Sequence, residues 1–116
     1  MAKWNVVLST TEPYNYIGMA NVRQGNKNSE VMEATITQNG LPVDLSQCKG
    51  YLEAILTNGA AIQRAAKIID AKAGKIQYTF DEYSLQAIHE QTANFIFYKG
   101  EDLIATTQDF SYFVVR

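Results

Sequence analysis

His89 is the only histidine in the chain and Cys48 the only cysteine. A histidine can serve as a general base near neutral pH, and a cysteine as a nucleophile once a base or a positive field generates its thiolate. His89 falls in a polar bend, Ile-His-Glu-Gln, and reads as a surface histidine. Cys48 sits in a loop beside Lys49, with no histidine near it in sequence, so a nucleophilic role has little support. Two carboxylate pairs, Asp81-Glu82 and Glu101-Asp102, have the composition for acid–base work or calcium binding. Each occupies a turn, where adjacent acids more often cap or solvate the backbone. No glycine-rich phosphate loop precedes a helix, and no run of Cys, His or acids has metal-ligand spacing. These residues predict a protein that is not an enzyme, with no catalytic residue, cofactor site or metal site to assign.

Aromatic residues are the unusual count: seven Tyr, five Phe and one Trp. Exposed rings form the platforms of sugar-binding sandwiches, so a glycan- or cell-wall-binding module is the main alternative from another class. Most of these rings, however, fall at alternating positions in apolar stretches, where packing between strands is their ordinary use.

The elements that must carry these residues are short and β-like. The organising stretch is Glu30–Leu45. Met32, Ala34 and Ile36 alternate with Glu33, Thr35 and Thr37, the period of a half-buried strand. Asn39-Gly40 supplies two residues that tolerate positive φ, as a tight type I′ hairpin requires. Leu41, Val43 and Leu45 return on one face. Pro42 cannot donate to a ladder, which makes this return an edge strand or a short bridging piece. Before this stretch, Trp4, Val6 and Leu8 mark a first strand ending at Thr10-Thr11-Glu12-Pro13. A second begins near Tyr16 and runs through Ile17, Met19, Asn21 and Arg23, and Gln24–Asn28 is turn chemistry.

After it, Tyr51–Leu56 reads as a strand closed by Asn58-Gly59. Residues 60–73 are ambiguous: alanine favours helix, while Ile68-Ile69 fits a strand equally well. Strand is expected, because neighbouring strands leave little room for a full helix. Ile76, Tyr78 and Phe80 alternate. Asp81 then has the position of an N-cap for one helical turn near residues 82–88. Ala93, Phe95 and Phe97 lead to a hairpin turn at Lys99–Asp102, and the last strand returns through Thr107–Val115. The expected fold is all-β, an immunoglobulin-like sandwich of about seven or eight antiparallel strands. Its predicted core is Met32, Ala34, Ile36, Leu52, Ala54, Ile76, Tyr78, Phe80, Phe95 and Phe97.

The chain's 116 residues suit one domain, residues 1–116, able to bury roughly 65% of its unfolded surface. Apolar residues make up 47% and charged residues 19%, the balance of a globular chain. A net charge of −2 with mixed signs lacks the basic face of a nucleic-acid binder. No apolar run reaches the 18 residues of a membrane-spanning helix, and the start is too weakly apolar for a secretion signal.

Taken in order, the turns and strands resemble the N-terminal domain of the phage baseplate upper protein family. The matching stretches are Val22–Ser29, Asn39–Leu45, Leu52–Ala54 with Asn58-Gly59, Gly74–Tyr78 and Phe95–Gly100. Each is a generic strand or turn; the ordered set covers nearly the whole chain. Asn26 stands where the family usually has Asp, and Asn58-Gly59 replaces a more usual Pro-Asp-Gly turn. Both substitutes can still turn the chain. The resemblance implies a virion structural protein of a tailed phage or prophage of Gram-positive bacteria, made in the host bacterial cytoplasm. It implies the N-terminal part of a longer, usually trimeric protein. This domain would dock to the central baseplate as an attachment adaptor, while the rest projects receptor-binding or fibre parts. The partners implied are other baseplate or tail proteins, not nucleic acid or membrane. The family offers no catalytic residue to carry over. The docking surface is not legible; the loop Gln24–Asn28 and the strand Trp4–Leu8 are places to look, beside their ordinary turn and core roles.

Overall fold

The computed structural model describes residues 3–11 and 16–116. Glu12 and Pro13, read as the end of the first strand, lie outside them. Among the described residues ten strands form, in chain order: β1 (Lys3–Ser9), β2 (Ala20–Arg23), β3 (Val31–Gln38), β4 (Leu41–Pro42), β5 (Lys49–Ile55), β6 (Ala61–Asp70), β7 (Lys75–Thr79), β8 (His89–Lys99), β9 (Asp102–Thr106) and β10 (Phe110–Val115). They join into one sheet ordered β1-β3-β7-β6-β5-β8-β10-β2, with β4 on β3 and β9 on β8. The sheet folds over into a barrel-like sandwich.

Strand β6 makes the fold-over. Its first part, Ala61–Ala66, pairs with β5, and its last part, Lys67–Asp70, pairs with β7 across an irregularity between Ile68 and Asp70. It buries no residue completely. That explains the ambiguity of residues 60–73: a corner strand lacks the alternation of fully buried side chains that identifies its neighbours. The strand expectation holds there.

Between the layers lies the predicted core. All ten residues named from the alternation are buried, joined by Leu8, Val22, Leu45, Leu85, Phe110, Tyr112 and Val114 among others. The rings interlock around Phe95, which stacks on Phe110 at 5.5 Å and meets Tyr78 edge-on at 6.2 Å. Tyr78 meets Phe80 at 5.2 Å, and Phe80 meets Tyr112 at 5.0 Å. Such offset and edge contacts suit the ring quadrupole. The hairpin at Asn39-Gly40 has φ of 52° and 81°, both positive as the turn requires. Its return, β4, spans only two residues, with Leu41 exposed and Leu45 fully buried further on.

Three expectations need correction. First, the pairing is not uniformly antiparallel: β1 runs parallel to β3, and β2 parallel to β10. Both are contacts between segments far apart in the chain, which local alternation does not encode. Second, the strand expected from Tyr16 begins at Ala20, because Gly18 takes φ of +80° and breaks the extended run. Third, the return after the Lys99–Asp102 hairpin is divided. Thr107, Gln108 and Asp109 face only Asn94 and Phe95 of β8, so the ladder is interrupted. At this break the Gln108 N–H donates to the Ser9 carbonyl (2.8 Å), and the Ser9 N–H donates to Gln108 Oε1 (2.9 Å). The extra residue thereby ties β1 to the opposite layer.

Candidate functional site

Strand β8 separates the two residues best suited to nucleophilic chemistry. His89 opens it, opposite Val114, while Cys48 precedes Lys49, which pairs with Tyr98 at the far end. Nine residues of strand put roughly 30 Å between those ends, so the imidazole cannot activate the thiol. His89 is exposed, with φ of 78°, and rests edge-on against Phe113 at 5.9 Å. Cys48 is a half-buried free thiol whose Sγ lies 3.7 Å from the Ser46 carbonyl.

The carboxylate pairs do what turn acids usually do. Asp81 Oδ1 accepts from the N–H groups of Tyr83 (3.1 Å) and Ser84 (3.0 Å), the cap geometry expected of it. Its other oxygen accepts from Arg64 Nε at 2.7 Å. Partial burial pushes this carboxyl up, but the Ser84 N–H and the Arg64 guanidinium outweigh burial and hold it below its ordinary 3.8. Glu101 and Asp102 are exposed at the β8–β9 hairpin. Among the described residues, no group of three or more His, Cys, Asp or Glu side chains is placed to hold a metal ion. Burial pushes the phenols of Tyr78 and Tyr112 up, so neither donates a proton readily at neutral pH.

The single helical turn expected near residues 82–88 takes the form of a run of turns with one helical-type bond, Leu85 N–H to Asp81 O (3.1 Å). Side chains from elsewhere take the carbonyls that a helix would use. Tyr112 Oη donates to Ser84 O (2.8 Å), Gln24 Nε2 to Leu85 O (2.9 Å), and Gln91 Nε2 to Ile88 O (2.8 Å). The 3₁₀ turn at Gln24–Asn26, inside the stretch read as a turn, positions Gln24 for this. Loop Gln24–Asn28 thus has a bracing role, and Trp4 of β1 packs edge-on against Phe110 at 6.1 Å.

This bracing makes a testable stability prediction. Asp81→Asn keeps an acceptor for the Tyr83 and Ser84 N–H groups but removes the charge facing Arg64, and should cost roughly 0.5–1 kcal/mol at pH 7, the upper range for a part-exposed ion pair. The folded-state pKa is lowered, so the carboxylate's contribution is present above the unfolded value and lost as pH falls through the folded one. The gap between wild type and variant in urea unfolding should therefore close below about pH 4. A gap independent of pH would remove the carboxylate charge from the explanation.

What the surface offers beyond these groups is shape. A cleft of about 290 Å³ is bounded by Tyr16–Met19, Glu90 and Asp109–Ser111. A more polar cleft of similar size, about 300 Å³, lies at Lys27, Asn28, Arg64 and Asp81–Tyr83, with the Arg64 guanidinium 4.3 Å above the Tyr83 ring. The Tyr51–Tyr98 pair, 6.2 Å apart, sits half-exposed on the outer face of β5 and β8. Six of the thirteen rings, Tyr78, Phe80, Phe95, Phe97, Phe110 and Tyr112, are buried, so close to half of the aromatic count is core packing.

The described residues thus form a two-layer β domain with clefts on its surface. The family model described as the BppU N-terminal domain matches residues 2–116, and the chain belongs to that family, the N-terminal domains of phage baseplate upper proteins. Among solved structures, it is similar to the N-terminal domain of phage TP901-1 ORF48, with 28% identity, a TM-score of 0.85 and 100% of each chain covered. No curated protein matches the chain. Its class is accordingly that of a structural component of the phage tail baseplate.

Proposed function

We propose that this domain is a non-enzymatic attachment adaptor. It docks on another baseplate protein and holds outward the remainder of a longer, trimeric chain that carries receptor-binding or fibre parts. The observation that carries this reading is the family match over residues 2–116. The wide separation of His89 from Cys48 and the use of Asp81 as a cap support a structural role. An adaptor needs a rigid body, which the interlocked core provides, and a complementary surface, which loops and strand edges provide. Several copies on one hub would add avidity, so each contact can be individually weak.

The test is co-elution with the central baseplate protein encoded by the same phage. A complex on size exclusion at micromolar concentrations is the expected result. Failure at high micromolar concentration, for this domain and for its full-length parent, would overturn the adaptor. Micromolar binding to purified host cell wall, abolished by changing one exposed aromatic residue, would instead favour the glycan-binding module.

A further inference from the structure

The cleft beside β2 exists because a parallel ladder stops. β2 pairs with β10 from Ala20 opposite Tyr112 through Arg23 opposite Val115. Continued backwards, the same register would set Met19 against Ser111, Gly18 against Phe110 and Ile17 against Asp109. The ladder does not continue: Gly18 turns at φ of +80°, and these residues border the cleft instead. Tyr16 stands at its rim, 88% exposed, and Met19 is 42% exposed. Both are apolar groups left in water next to a concave surface.

The charge of the cleft is one-sided. Glu90 and Asp109 border it, and among the described residues no Lys, Arg or His does. Both acids are exposed residues. Glu90 Oε2 accepts from Ser111 Oγ at 2.9 Å, which fixes one carboxylate at the wall without neutralising it. An aromatic rim, apolar walls and two carboxylates together match the parts of an arginine side chain. The methylenes lie along apolar surface, the guanidinium stacks on an aromatic face, and its fork pairs with carboxylates. A neutral sugar would use the ring and hydroxyl partners but would gain nothing from two uncompensated negative charges.

We propose that this cleft receives an arginine side chain projecting from a partner protein, and that it is a docking point of the domain. The second clause rests on the adaptor reading above; the first does not. Arginine suits the site better than lysine, because its planar head can stack on Tyr16 and bind a carboxylate in the same pose.

The test has two arms. In the first, the ¹⁵N-labelled domain is titrated with N-acetyl-arginine amide, N-acetyl-lysine amide and N-acetylglucosamine. Arginine should shift the amides of Ile17–Met19, Glu90 and Asp109–Ser111 with millimolar affinity. The shifts should weaken at least fivefold in Glu90→Gln/Asp109→Asn and in Tyr16→Ala, and fall with added salt. No arginine shifts at these amides would overturn the proposal, as would sugar-induced shifts there that persist in the double variant. In the second arm, the same variants, shown to be folded by their melting curves, are mixed with the central baseplate protein. At least tenfold weaker association supports the docking role. Association unchanged from wild type overturns that role and leaves the adaptor standing. No association of the wild type overturns the adaptor, and with it the docking role, while the arginine titration still decides the cleft.

Discussion

Replacing Phe95 by alanine is expected to cost about 3–5 kcal/mol, the range for truncating a fully buried phenylalanine. Phe95 has no exposed surface and lies opposite Leu52 in the β5–β8 ladder. It touches Phe110 from one side and Tyr78 from another, so one truncation opens the contact between both layers of the sandwich. Those neighbours cannot collapse into the gap easily. Tyr78 is held edge-on against Phe80 at 5.2 Å, and Phe110 is wedged between Trp4 and Phe95. In a domain of this size each kcal/mol moves Tm by about 4 °C, so a fall of roughly 12–20 °C should be seen in a thermal scan. Ile55→Ala is the matched control. Ile55 is 66% exposed on the outer face of β5, and its loss should stay within about 0.5 kcal/mol. Equal losses in the two variants would mean that the inward face of β8 is assigned wrongly.

That inward face was legible from the sequence for a simple reason. Where a strand is buried on one side, every second residue must be apolar, and β3, β5 and β7 obey this through Met32–Ile36, Leu52–Ala54 and Ile76–Tyr78, while in β8 Phe95 and Phe97 alternate with an Ile96 that is buried as well. The Asn39-Gly40 turn was legible because positive φ restricts residue choice. What the sequence hid was non-local. The parallel pairing of β1 with β3 joins Lys3 to Val31, and nothing in either segment names the other. The run of turns after Asp81 carries a helix-like local signal, but Gln24, Gln91 and Tyr112 claim its carbonyls from distant parts of the chain. The cleft is of the same kind. Tyr16 and Met19 read as continuing a strand, and only the backbone of Gly18 shows that they border a surface.

Gly74→Ala should destabilise the domain far more than alanine at another positive-φ glycine. Gly74 closes the turn between β6 and β7 with φ of +68°, and a Cβ there would lie 2.7 Å from Ile36 O and 2.9 Å from Val43 O. Both obstacles are backbone atoms, so no side chain can swing aside. They also belong to a small set of cross-links. Ile36 N–H donates to Gly74 O (2.7 Å), Val43 N–H to Ile36 O (2.9 Å), and Leu45 N–H to Ala71 O (2.9 Å). Pushing Gly74 away stretches the seam joining β3, the segment after β4 and the β6–β7 turn. The left-handed conformation alone costs an L-residue about 1–2 kcal/mol. Each weakened hydrogen bond adds about 0.5–1.5 kcal/mol, which brings the expected total to about 3–5 kcal/mol. Gly59 separates the two causes: its φ is +88°, but a Cβ there would meet nothing within 4 Å. Gly59→Ala should therefore show only the conformational cost, about 1–2 kcal/mol. Urea unfolding of the two variants gives the comparison directly. A difference of about 2 kcal/mol or more supports the close approach at Ile36 and Val43, and equal losses would mean that the seam yields freely.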